Sequence, residues 1–258
     1  MIPDYSHITE TPGLKASKDQ LDKAYHRYHF AGKFSIGKDV LEVACGSGIG
    51  LGYLAKEAKT VTGGDIDETN LSFARKHYYN RKNIFVLKLD AHKLPFADES
   101  FDALILFEAI YYLENPEKFV EESHRVLRKN GTLIIGSVNR EWKDFHISPF
   151  AKKYFSAREI CELLQNKFQS VKVYGAFNVE KGLKANIISF IKQFAIRFNL
   201  IPGGLKARAY LKRIFMGELV DLPAELDKET IHFSVPVQIQ TNTINKEYKI
   251  LYAVASKS

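Results

Sequence analysis

The 258-residue chain is poor in cysteine, methionine and tryptophan, with two, two and one of each. Cys45 and Cys161 stand far apart and lack the paired spacing of a zinc site or a disulfide framework, so both read as reduced, buried thiols. No run of about 20 uncharged apolar residues occurs, and no bilayer-spanning helix is expected. The opening MIPDYSHITE has no basic leader followed by an apolar stretch, so no signal peptide is expected and the reading is cytoplasmic. Internal repeats and low-complexity tracts are missing, and Asp144 belongs to no acid cluster, so no metal is expected. The sequence carries no signal for oligomeric state. What is present is an ordinary globular composition, 45% hydrophobic, sized for one large domain or a domain with an insertion.

The net charge is +7, and its distribution matters more than its size. Eight Lys or Arg and no Asp or Glu lie between Lys181 and Arg213, which leaves the rest of the chain almost neutral. These cations are interleaved with large apolar residues and form no stripe beside exposed aromatics, so nucleic acid is disfavoured as a partner.

The most informative stretch is VLEVACGSGIG at 40–50, followed by acids at Asp65 and Asp90. The pattern predicts a buried strand, a glycine-rich turn and a helix whose apolar face carries Leu51 and Leu54. Asp65 and Asp90 fall at the carboxyl ends of the next two predicted strands, where the crevice of an open α/β sheet holds a nucleoside. A dinucleotide fits poorly. Counting from Gly46 and Gly48, the third glycine of G-x-G-x-x-G would be residue 51, which is leucine, and the ribose acid comes early, 17 residues after Gly48. Glu42 inside the turn would repel a pyrophosphate but welcome a cationic ligand. S-adenosylmethionine (SAM), with a sulfonium, an ammonium and no phosphate, suits these features better.

Residues 39–137 resemble a class I SAM-dependent methyltransferase of the small-molecule type. The resemblance rests on VLEVACGSG at 40–48, VTGGDID at 61–67, LDAHKLPFADESFDALIL at 89–106, FEAIYYL at 107–113 and LRKNGTLIIGSVN at 127–139. It implies a Rossmann-like, mainly parallel seven-stranded sheet with helices on both faces and an antiparallel last strand. By the same resemblance, Glu42, Ala44, Cys45, Gly46 and Gly48 form the turn around the cofactor. Asp65 accepts from the ribose hydroxyls, Ile66 lies on the adenine, and Asp90 with the Ala91 backbone meets the adenine amine. Glu108 and Ala109 lie near the methionyl group. Arg27, on a predicted helix over 17–34, meets the methionine carboxylate, while Tyr28 covers the sulfonium. Ala44 stands where the pattern has its first glycine, and a methyl is tolerated there if φ is negative.

Strands are expected near 39–43, 60–65, 84–89, 101–107 and 131–138, with helices near 49–58, 68–79, 115–129 and 156–167. Ser17 with Gln20 and Ser156 with Glu159 fit capping boxes. The whole chain, 1–258, is read as one domain: a helical cap at 1–38, a cofactor core at 39–177, a basic helical insertion or lid at 178–246 and a final strand at 247–258. Within the insertion, Leu183, Ile187, Phe190, Ile191, Phe194 and Phe198 share one helical face, and 205–216 reads as a second basic helix. The segment 183–216 reads as a lid over the active site, or alternatively as a peripheral contact with an anionic membrane.

For chemistry, FEAIYY replaces the (D/N)PPY of enzymes that methylate base amino groups, and no Pro-Cys pair exists for attack on a pyrimidine. The candidate general base is His146, in the loop NREWKDFHISPF, with Tyr111 and Tyr112 walling the substrate site. The expected acceptor is a small metabolite or glycan precursor, methylated on O or N. The alternatives are C-methylation of a prenylated quinone or other lipid, and a non-catalytic SAM-binding scaffold.

Overall fold

The computed structural model describes residues 10–148, 150–179, 219–227 and 233–258. Five parallel strands are joined by helices except between the third and fourth: β2 (Asp39–Val43), β3 (Thr60–Asp65), β4 (Ile84–Lys88), β5 (Phe101–Phe107) and β6 (Leu127–Val138). The helices are α2 (Leu51–Ala55), α3 (Glu68–His77), α4 (Pro116–Val126) and α5 (Ala157–Gln165). After α5 the chain adds β7 (Ser170–Asn178), and the final β10 (Tyr248–Ser256) inserts antiparallel between β6 and β7. The sheet order β4-β3-β2-β5-β6-β10-β7, extended at the β7 edge by β9 (Val237–Gln238), reverses at β2 and β5. A crevice therefore opens at their carboxyl ends, where such sheets bind ligands.

Strand periodicity sends alternate residues to opposite faces. Val40, Val61 and Ile105 pack with Leu51, Leu54 and Leu71 on one side. Leu41, Leu104 and Leu106 pack with Phe119, Ile160 and Leu164 on the other. The predicted α/β fold with helices on both faces and an antiparallel last strand is thus present. The count of seven strands is not: an eighth, β9 (Val237–Gln238), pairs antiparallel with the edge of β7. Two residues are too few to show a period of two.

Both predicted capping boxes form. Ser17 and Gln20 open α1 (Lys18–Gly32), and Ser156 with Glu159 opens α5. Along α1, Ala24, Tyr28 and Ala31 recur at helical spacing and are buried, which turns Tyr28 and its neighbour Arg27 toward the crevice. The segment 178–246, read as a basic helical insertion or lid, also contains strands. Residues 219–221 form β8 (Leu219–Asp221), which pairs antiparallel with β1 (Lys15–Ser17). Leu226 beyond it is buried, and its N–H donates to the Ile49 carbonyl at 2.8 Å. The predicted helices over 183–200 and 205–216 lie outside the described residues. Among the described residues, no helix is long and apolar enough to cross a membrane.

Candidate functional site

A cavity of about 510 Å³ opens at the β2/β5 crevice, a size usual for small-molecule sites. Four segments build its walls. β2 and the turn after it supply Glu42, Ala44, Cys45, Gly46 and Ser47; β3 ends on Asp65, with Ile66 next; the loop after β4 carries Asp90, Ala91 and His92. The end of β5 adds Phe107, Glu108 and Ala109, followed by Tyr111 and Tyr112. Arg27 and Tyr28 reach in from α1, and Glu10 from the segment before it.

The turn is held from several directions. Asp65 Oδ2 accepts from the Gly46 N–H at 2.8 Å, and Oδ1 accepts from the Asp67 N–H at 2.9 Å. Burial raises the Asp65 carboxyl above its ordinary value, and these backbone donors oppose the rise. Gly50 lies under the Tyr28 ring, where a Cβ would come within 1.9 Å of ring atoms. Gly48, expected at the cofactor, instead packs beneath the turn: its φ is +79°, its carbonyl accepts from the Tyr78 hydroxyl at 2.8 Å, and it does not line the cavity.

Ala44 has a φ of +57°, contrary to the negative value expected. A non-glycine residue in the left-handed region costs about 1–2 kcal/mol, because its Cβ crowds the following carbonyl oxygen. Ala44→Gly should relieve this strain and lose part of the gain to a freer unfolded chain. The expected net is a rise in Tm of about 1–4 °C in a thermal melt. A lower Tm would show that the methyl's packing outweighs the strain.

At the α1 end of the cavity two buried polar atoms lack partners. Tyr28 donates to Glu42 Oε1 at 2.6 Å, but among the described residues Oε2 accepts nothing and Arg27 Nε donates to nothing. A buried unmatched acceptor and a buried unmatched donor lining one cavity are costly unless a ligand completes both. An ammonium and a carboxylate on one carbon would do so. Burial pushes the Glu42 carboxyl up to about 7, although the Tyr28 hydrogen bond and Arg27 pull the other way. Glu10, Glu42 and Glu108 face a single guanidinium, that of Arg27, so this end also favours added positive charge. The arrangement fits SAM: Glu42 and Arg27 for the amino-acid group, and Asp65 for the ribose.

Asp90 stands at the cavity's other end. His92 donates its backbone N–H to Asp90 Oδ1 at 2.8 Å and sets Nδ1 2.7 Å from the same oxygen. Burial works against the Asp90 charge, but these bonds hold the carboxyl below its ordinary value. His92 therefore belongs to the site both as part of its wall and as the partner of Asp90.

His146 is not where the chemistry would need it. It is exposed in the loop after β6 and does not line the cavity. The loop contributes aromatic rings instead: Tyr154 stacks on Tyr111 at 4.7 Å and meets Phe145 at 4.6 Å. The group nearest a base is Glu108, placed in the left-handed region at φ +51° just past β5. Tyr111 donates to its Oε2 at 2.8 Å, and burial raises its carboxyl above the usual range while Arg27 and Tyr111 oppose that rise. Strained backbone of this kind concentrates at functional sites. No group of three or more metal-ligating side chains occurs among the described residues.

Residues 41–135 match the family described as "Methyltransferase domain". A probable S-adenosylmethionine-dependent methyltransferase of Mycolicibacterium smegmatis is 32% identical over 147 residues, covering 55% of this chain and 56% of the relative. A fatty-acid O-methyltransferase of the same organism is 38% identical over 100 residues, covering 38% of this chain and 36% of the relative. The chain thus spans about half the length, or less, of these curated relatives. A SAM-dependent methyltransferase of Thermotoga maritima, described as a possible histamine N-methyltransferase, superposes with a TM-score of 0.55 at 21% identity. That superposition covers 93% of this chain and 98% of the other, and is a likeness of fold.

Proposed function

Residues 41–135 belong to the class I SAM-dependent methyltransferases, and from that premise we propose that the protein methylates a hydroxyl on an acceptor with an apolar body. The observation that carries the cofactor half is the buried pair of unmatched atoms, Glu42 Oε2 and Arg27 Nε, at one end of the cavity. The acceptor half rests on the wall beyond Glu108. Ala109, Tyr111, Tyr112, Leu113 and Glu114 line it, with Tyr154 stacked behind, so ring faces and aliphatic carbon dominate and the side-chain polar groups are two phenol hydroxyls and one carboxylate. This favours the lipid-type acceptor over the glycan precursor, in keeping with the fatty-acid O-methyltransferase among the relatives.

When bound, the cofactor supplies an electrophilic methyl group on a positively charged sulfur. The chain's own residues have three tasks. Arg27, Glu42 and Asp65 fix the cofactor's two ends, so that the acceptor meets the methyl group in line. Phe107, Tyr28 and the Tyr111–Tyr112 pair exclude water from the displacement. Glu108 accepts the hydroxyl proton, with Tyr111 orienting its carboxylate.

The test is methyl transfer from tritiated SAM to matched panels of hydroxylated long-chain lipids, alkylphenols and free sugars. Label in the lipid or phenol fractions is the expected result. Label in the sugars alone would restore the glycan reading.

A further inference from the structure

Glu10 lies in the cavity wall and forms an ion pair with Arg27 through the guanidinium Nη2. The Ser47 hydroxyl donates to the Glu10 backbone carbonyl, tying the same residue to the glycine turn. Arg27 has a side chain only 12% exposed and an Nε without a partner. Burial alone would disfavour its charge, but Glu10 and then Tyr28 more than offset that and hold it firmly protonated. An isolated buried guanidinium is a costly object, so some carboxylate must stand against Arg27 in each state of the protein.

We infer that Glu10 is an internal stand-in for the cofactor's methionine carboxylate, a latch that holds residues 10–12 against the cavity wall and is expelled when SAM binds. This inference rests on the SAM reading above. Glu10, Glu42 and Glu108 already line the cavity around one guanidinium, and Glu10 raises the carboxyls of the other two, so a fourth carboxylate at Arg27 is accommodated best if Glu10 leaves. The latch has a strap behind it. Gly13 N–H donates to the Leu222 carbonyl at 2.9 Å, and Leu222 N–H to the Leu14 carbonyl at 2.9 Å, continuing the β1–β8 pairing. Leu222 and Leu226 are buried, which anchors the far strand beside the glycine turn. Release of Glu10 therefore frees residues 10–12 first, while the strap keeps them close enough to return when product leaves. No bond is made or broken; one ion pair is exchanged for another.

An occupied latch lowers apparent affinity by the fraction of molecules that hold it closed. Titration calorimetry on the intact protein is expected to give E10Q a SAM Kd about tenfold lower than wild type. Hydrogen exchange in a peptide spanning residues 10–16 is expected to rise when wild type is saturated with SAM, and to be high already in ligand-free E10Q. Equal or weaker SAM binding by E10Q, or exchange that falls or stays level on saturation, would overturn the latch while leaving the SAM site intact. Failure of both proteins to bind SAM would overturn the cofactor reading itself.

Discussion

Asp65→Asn is expected to weaken SAM binding by about 10- to 100-fold in titration calorimetry, with the fold preserved. Asp65 ends β3 with its carboxylate against the cavity, and each oxygen accepts one backbone N–H, from Gly46 and from Asp67. A carboxylate oxygen has room for a further donor, and the two ribose hydroxyls would supply one to each. Hydrogen bonds to a charged group are worth about 1.5–3 kcal/mol, and about 1.4 kcal/mol is tenfold in affinity. Asn keeps one oxygen and the side-chain volume, but it turns an amide NH2 toward one of the present donors. Some loosening of the Gly46 turn is therefore included in the effect. Asp67→Ala separates the two contributions, because Asp67 caps α3 and touches Asp65 only through its backbone. It should lower Tm and leave SAM affinity within about threefold. If Asp65→Asn also binds within threefold of wild type, the carboxylate holds the turn and not the ribose.

Much of this site was legible because its residues sit at strand ends within one alternating stretch. Asp65 and Asp90 follow β3 and β4 directly, and the turn after β2 carries its own glycines, so local pattern and global topology say the same thing. Where the fold depended on distant pairing, the sequence was silent. Glu10 reaches Arg27 of α1 from before β1, and nothing in its neighbourhood marks it as a site residue. The β1–β8 pair joins residues about two hundred positions apart with three residues a side, too few to show alternation. His146 failed for a different reason. Its loop does reach the cavity wall, but through Tyr154 and Phe145, and a loop's sequence does not say which side chain turns inward. Ala44 carries the same lesson at the backbone: a missing glycine suggested an ordinary φ, yet the turn keeps the left-handed conformation and the alanine bears the strain.

Glu108→Gln is expected to lower kcat by about 10²- to 10⁴-fold on whichever hydroxyl acceptor the transfer assay identifies, with SAM affinity little changed. The amide keeps the shape and can still accept from Tyr111, but it cannot take a proton. Loss of a purely structural residue would instead lower Tm and SAM affinity together. The pH profile makes the assignment sharper. Burial raises the Glu108 carboxyl above its ordinary value, and only the ionised form accepts a proton, so kcat should fall on the acid side at a higher pH than an exposed carboxylate would give. The Tyr111 hydroxyl donates to that carboxylate and favours its charge. Tyr111→Phe removes the donor, raises the carboxyl further and should move the acid limb to still higher pH, leaving the plateau within about tenfold of wild type. A limb that stays in place in Tyr111→Phe, or a Glu108→Gln variant that keeps a tenth or more of wild-type kcat, would remove Glu108 from the proton's path. Transfer would then rest on proximity and water exclusion alone, which is enough for a nucleophile that enters already deprotonated.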